Sequence, residues 1–326
     1  MTADIAVRHA DHPRIGAILR ILAKSPATRR FSRPLDVVLA DRTFAERNAA
    51  AVEDVLRMSA AASHRALADA GLDPRDVDGI VTTSSTTDWV PGLDIALQRK
   101  LGLAADISRT ALTQSGCGGG VHALTKAVDH VRARSGARVL VAGGEVLSAI
   151  HHHDDQDVAH FIFKLLWGDS AVAAVVSGVP LGPGLAVDDT WEYVLPGSAR
   201  RYRKRVDAAG MHFDSDKDST QSVVDMAPAL RKWLDGWPLD FVVTHTGGLA
   251  ILADLQRELG LAEEQLVHAY RSLDEDGNLG GPAVLRVLER TYETPPAAGQ
   301  QGLLLGFGPG FTVGAAKVTW QDGSEA

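Results

Sequence analysis

Only one of the 326 residues is a cysteine, which excludes an intrachain disulfide and any multi-cysteine zinc or iron–sulfur centre. Cys117 is therefore either inert packing or a reactive thiol. A basic excess is also missing. The chain carries 33 Lys+Arg against 41 Asp+Glu, a formal net charge of −8, which argues against a nucleic-acid-binding protein. No run approaches the roughly 20 apolar residues that a membrane span requires. The first residues, MTADIAVRHADHPR, lack the apolar core of a signal peptide. These absences lead us to expect a soluble, cytoplasmic protein. Hydrophobic residues at 45% and charged residues at 23% form an ordinary globular composition, sufficient for a large core.

Short β-branched runs alternate with amphipathic stretches, the pattern of an α/β fold. Buried strands are expected at Gly79–Ser85, Ala137–Ala142 and Ser170–Ser177. A helix is expected over Arg47–Ala70, stopped by Gly71 with Pro74 just beyond. Turn residues at Gly178–Gly184 (GVPLGPG) mark a half-way boundary, giving halves of residues 1–180 and 181–326. In the second half, strands are expected at Leu185–Trp191, Asp240–His245, Gly302–Gly306 and Phe311–Thr319. Helices are expected at Ser222–Leu234, Leu249–Leu259, Glu263–Leu273 and Leu279–Arg290. Two such halves suggest a pseudo-duplicated architecture. One continuous doubly wound sheet is the alternative.

Cys117 lies in TQSGCGGG, directly before a helical run with Ala123, Leu124, Ala127, Val128 and Val131 on one face. Unpaired N–H groups at a helix start favour a thiolate, so a lowered thiol pKa is expected there. Such a nucleophile needs a base. His245 ends the apolar strand DFVVTH, and strand ends are where ligands collect in α/β folds. Asn278 lies in DGNLGG, at another loop-to-helix junction. Taken singly, His245 reads more readily as a hydrogen-bonded core histidine and Asn278 as an N-cap.

Together with VPGLDIALQRKLGL (Val90–Leu103), LWGDSAVAAVV (Leu166–Val176), DGNLGGPAVLRVL (Asp276–Leu288) and GFGPGFT (Gly306–Thr312), these motifs resemble the type III polyketide synthases. The ordered set spans about Arg29 to Val318. The resemblance implies a thiolase-like αβαβα layered fold. It implies that Cys117 accepts an acyl group from a coenzyme A thioester and is held by His245 as a thiolate–imidazolium pair. His245 and Asn278 would stabilise the enolate formed when malonyl-CoA loses carbon dioxide, and Claisen condensation would follow. The implied protein is a homodimeric acyltransferase using malonyl-CoA and an acyl-CoA starter, or an acyl carrier protein, and needing no metal or organic cofactor.

The resemblance also makes Trp167 and Phe213 gate residues, Ile150 and Gly280 cavity-lining positions and Glu145 a buried cavity-side acid. Ordinary packing is the alternative for the two aromatics. Gly280-Gly281 replaces the family's usual Ser-Ser, and Trp167 its usual phenylalanine; Ile150 and Trp167 remove volume while Gly280 adds it. Lys24, Arg29 and Arg30 are the nearest candidates for coenzyme A phosphates. The run His151–Asp157 (HHHDDQD) reads as a polar loop in preference to a metal site, and Arg200–Arg205 (RRYRKR) as a solvated loop or a steering patch for an acidic partner. Other readings are a ketoacyl-ACP synthase III-like single-condensation enzyme or acyltransferase, a silent partner subunit, and a cysteine hydrolase.

Overall fold

The computed structural model describes residues 1–23, 30–153 and 156–323. Its strands are β1 (Gly79–Thr83), β2 (Ser108–Leu112), β3 (Arg138–Glu145), β4 (Ser170–Ser177), β5 (Gly184–Val194), β6 (Arg203–Asp207), β7 (Gly210–Asp214), β8 (Phe241–Thr244), β9 (Gln301–Gly308) and β10 (Thr312–Gln321). One four-stranded sheet has the order β2-β1-β3-β4, and a second has the order β5-β10-β9-β8. The two sheets are separate, so the continuous-sheet alternative is not what forms.

Each sheet contains the same three-strand unit. β1 runs parallel to β3, which is antiparallel to β4. β8 runs parallel to β9, which is antiparallel to β10. A helix connects the parallel pair in each unit, Gly119–Ala133 in the first and Ala283–Glu293 in the second. The first of these helices packs on β1 and β3 and also on β9 and β10, with the second beside it. They form the middle layer. Helices Phe44–Asp69 and Leu93–Leu101 cover the outer face of the first sheet. Helices Ser222–Leu234 and Leu249–Leu259 place Met226, Leu230, Leu252 and Leu255 in the core of the second. The layers are therefore α–β–α–β–α, and the largest apolar cluster includes residues of both sheets, among them Val81, Val141, Val243 and Leu305.

Local chemistry sets the element ends. Helix Phe44–Asp69 begins three residues before the sequence pattern suggests, because Thr43 and Glu46 form a reciprocal capping box. It ends ahead of Gly71, whose φ of +66° only glycine adopts cheaply. The stretch expected as one helix at Glu263–Leu273 is a 3-10 turn, Glu263–Leu266, followed by helix Val267–Glu275. β2 and the β6–β7 hairpin are additions to the expected elements. Among the described residues no helix is long and apolar enough to cross a membrane.

Candidate active site

Cys117 lies in a 3-10 turn, Gly116–Gly118, that leads into the buried helix Gly119–Ala133. Glycine is required at the start of this helix because it is squeezed from two sides. A Cβ on Gly119 would collide with the Thr83 hydroxyl at the end of β1, and one on Gly120 with the carbonyl of Gly281. The starts of the two middle-layer helices therefore meet backbone to backbone, bringing the 117 and 278–281 loops together.

His245 follows β8, its N–H donating to Leu305 O at 3.0 Å. It is only 2% exposed, and its Nδ1 is buried with no hydrogen-bond partner among the described residues. Gly247 crosses close to the ring, with its Cβ position 3.2 Å from His245 Nε2. The Gly247 carbonyl accepts a bond of 3.4 Å from Asn278 Nδ2. Thr246 Oγ1 donates to Gly277 O at 3.1 Å, tying the histidine loop to the asparagine loop.

Asn278 is not a helix cap, since the following helix begins at Ala283 with Pro282 in the cap position. Its backbone forms an isolated parallel bridge with Trp167. The Asn278 N–H donates to Leu166 O at 2.8 Å, and its carbonyl accepts from Gly168 N at 3.0 Å. Its Oδ1 accepts from Gly280 N at 2.9 Å. That bond fixes the amide so that its NH2 end serves the site, where the side chain is hydrogen-bonded to the Cys117 sulfur.

Glu145, at the end of β3, is buried at 1% exposure. Ser85 and Thr86 hold its carboxylate, the closest donors being Thr86 Oγ1 at 2.7 Å and Ser85 Oγ at 2.8 Å, with both backbone N–H groups also donating. Burial raises its pKa against the pull of these bonds. Burial first, and then the Glu145 charge, push the Cys117 thiol up to about 12. Burial alone pushes His245 down to about 4. The expected lowering of the thiol pKa is thus overturned. The cysteine's own N–H and Asn278 pull the right way but lose to desolvation and the carboxylate.

The aromatic and aliphatic candidates gather beside Asn278. The Trp167 ring meets Phe213 edge-on at 5.6 Å and stacks on Phe163 at 4.8 Å. Ile150, Leu147 and Met211 form a small buried cluster against Trp167 and Phe213. Leu147, Ile150, Phe163, Trp167 and Phe213 line a cavity of about 20 Å³, space for about one water. Gly280 has φ +67°, and the space its missing side chain leaves is bordered by Glu145 Cγ at 3.2 Å and Leu147 Cδ1 at 3.6 Å.

Other expectations fall elsewhere. Lys24 and Arg29 lie outside the described residues, while Arg30 is turned inward, donating to Leu166 O at 3.0 Å beside the asparagine loop. The His151–Asp157 run is split between roles. His151 borders the small cavity, His152 stacks on His212 at 4.0 Å, and Asp154 and Asp155 lie outside the described residues. Asp4, His151 and His153 bring ligand-type atoms within 4.8 Å of one another. Arg8 already binds Asp4, and the Leu39 carbonyl already binds His153. Sequence reasoning missed Ser85, Thr86, Phe163 and Tyr202. Tyr202 adopts φ +52°, and its phenol donates to Ser219 O at 3.2 Å. The TTSSTT run that ends β1 and continues past it was the available signal for Ser85 and Thr86, and the spacing of four residues to Trp167 was the signal for Phe163.

Comparison with known proteins agrees with this arrangement. Residues 32–180 match the model for the chalcone and stilbene synthases, N-terminal domain, and residues 186–319 the C-terminal domain. A phloroglucinol synthase of Pseudomonas fluorescens is 31% identical over 96% of this chain and 91% of its own length. A 1,3,6,8-tetrahydroxynaphthalene synthase of Streptomyces coelicolor is 32% identical over 96% of this chain and 86% of its own. The crystal structure of the S. coelicolor A3(2) tetrahydroxynaphthalene synthase, a bacterial type III polyketide synthase, superposes with TM-score 0.94 at 30% identity, covering 98% of this chain and 94% of that one. Germicidin synthase of the same species gives TM-score 0.81 at 31% identity, over 97% of this chain and 81% of that one. With the thiolase-like layers in place and both halves matched in order, the chain belongs to the chalcone and stilbene synthase family, the type III polyketide synthases.

Proposed function

We propose that this chain loads an acyl group from a coenzyme A thioester onto Cys117 and extends it with malonyl-CoA by decarboxylative Claisen condensation. The observation that supports this most is the Asn278 amide, held through Oδ1 so that its NH2 end is hydrogen-bonded to the Cys117 sulfur. In loading, His245 takes the thiol proton as the sulfur attacks the thioester carbonyl, and returns it to the departing coenzyme A thiolate. In extension, Asn278 Nδ2 and a protonated His245 Nε2 donate to the malonyl thioester carbonyl. Carbon dioxide leaves, and the enolate attacks the acyl-cysteine. The released Cys117 thiolate recovers a proton from solvent through the imidazole. Because His245 Nδ1 is unpartnered among the described residues, no bond on that side locks one tautomer, and the ring can act as acceptor and then donor.

Removing one donor from such a site costs about 3 kcal/mol of transition-state stabilisation. Trp167 and Phe213 act as the gate, and Ile150, Gly280 and Glu145 shape the wall. The scheme calls for no metal or organic cofactor. A homodimer belongs to the same reading, and β2, the edge strand of the first sheet among the described residues, is where a second copy would pair. An acyl carrier protein is the alternative acyl donor. A single-condensation, ketoacyl-ACP synthase III-like activity is not favoured, because both halves match the chalcone and stilbene synthase models.

Intact-mass measurement after incubation with acyl-CoA tests the loading step. One acyl adduct is expected on the native protein and none on Cys117→Ala. An adduct that persists in the variant would overturn the assignment.

A further inference from the structure

Strand β6 divides the basic run Arg200–Arg205 by its alternation. Arg203 and Arg205, both exposed, are held near Asp214 on β7, and Arg205 also pairs with Asp207. Lys204 differs from both. It is half-buried, stands in register with Phe213, and donates from Nζ to Ser85 O at 3.1 Å. Ser85 is the residue whose N–H and hydroxyl hold the Glu145 carboxylate. Glu145 in turn borders Gly280, whose N–H orients Asn278. Lys204 thus lies between Phe213 and the Ser85–Thr86 loop that holds the buried acid of the candidate site.

Among the described residues that single hydrogen bond is the only polar contact of the Lys204 ammonium, and no carboxylate pairs with it. An ammonium has three donors, so two are left for a ligand. The Glu145 charge does not satisfy them, being taken up by Ser85 and Thr86. A half-buried cation with unspent donors beside an acyl-transfer site fits an anionic oxygen better than an alkyl chain.

We propose that Lys204 determines acyl-chain specificity, binding an anionic oxygen at the distal end of the chain carried on Cys117. The inference rests on the function proposed above. Two sources share this chemistry. One is the carboxylate of a diacid-derived starter, and the other is the enolate of a β-dicarbonyl chain produced by extension.

The test uses the full chain and its variants Lys204→Met, Lys204→Gln and Lys204→Arg. Purified protein receives equimolar succinyl-CoA and pentanoyl-CoA, similar in length and differing in terminal charge, and the Cys117 adducts are counted by intact mass. Extension of a neutral starter with malonyl-CoA is followed separately by product analysis. If the carboxylate is the ligand, the succinyl-to-pentanoyl ratio falls by about tenfold or more in the Met and Gln variants, the loss expected for one charge-assisted hydrogen bond, and Arg retains it. If the enolate is the ligand, loading ratios hold while the share of multiply extended products falls in the same two variants and recovers in Arg. Unchanged ratios and unchanged product shares in an active protein would overturn the inference while leaving the proposed function standing. A native protein that forms no Cys117 adduct and releases no carbon dioxide would overturn both. Using two neutral replacements keeps the test decisive if either one misfolds.

Discussion

Asn278 Oδ1 accepts the Gly280 N–H at 2.9 Å, and this one bond decides which end of the amide serves Cys117. Aspartate at 278 would keep that acceptor but lose the NH2 donors. Asn278→Asp is therefore expected to fold normally and to release carbon dioxide from malonyl-CoA roughly a hundredfold to a thousandfold more slowly. Acyl loading on Cys117 should fall much less. Stopped assays of carbon dioxide release, paired with intact-mass loading, check this. Equal loss of both steps would contradict the role given to Asn278.

The resting protonation state of Cys117 has a kinetic signature. With the thiol pushed up to about 12 and His245 down to about 4, the thiolate fraction grows steadily through the neutral range. Alkylation of Cys117 by iodoacetamide should then rise by about tenfold per pH unit between about pH 6 and pH 9, the behaviour of a thiol well below its pKa. A flat profile there would mean that a thiolate–imidazolium pair persists in the empty site. Because Glu145 adds to the upward push, Glu145→Gln should increase the rate at a given pH.

Close packing of the two middle-layer helices makes Gly120 sensitive to added volume. A Cβ there meets the Gly281 backbone carbonyl and lies 2.8 Å from Val284 Cγ1, and a backbone atom cannot swing aside. Gly120→Ala should destabilise the fold by about 1–3 kcal/mol, the usual cost of overpacking. Gly71→Ala, which meets nothing within 4 Å but must hold φ +66°, separates backbone strain from overpacking. Thermal unfolding of both variants measures the two terms.

The stacked Phe163–Trp167 pair, with Phe213 against its edge, leaves a cavity of only about 20 Å³. Trp167→Ala removes the largest side chain lining it. The expected outcome is a shift toward products at least one ketide unit longer, read by mass spectrometry. An unchanged product profile would remove Trp167 from the gate.

What the sequence revealed followed from local patterns. Continuous apolar runs such as SAVAAVVS specify β4 to the residue, although the strand expected to be buried is half-buried along its whole length. SRTAL, in β2, is short and alternates between half-buried and exposed positions, so no apolar run announces it. The β6–β7 hairpin was hidden by its charge. RRYRKR reads as a solvated loop until Asp207 and Asp214 are seen pairing its outward arginines. Cys117, His245 and Asn278 stood out by position and by family resemblance. The sign of the thiol shift did not, because it depends on burial and on Glu145 from another strand, neither of which is local to the cysteine loop.

The most direct measurement of the central claim is turnover of the native protein with malonyl-CoA, alone and with a set of acyl-CoA starters. Carbon dioxide, intact protein mass and small-molecule products would be followed in the same reaction. A Cys117-dependent acyl adduct, carbon dioxide release and a product extended by two carbons or more are the expected result. An adduct with no carbon dioxide and no extension would contradict the assignment of a condensing enzyme.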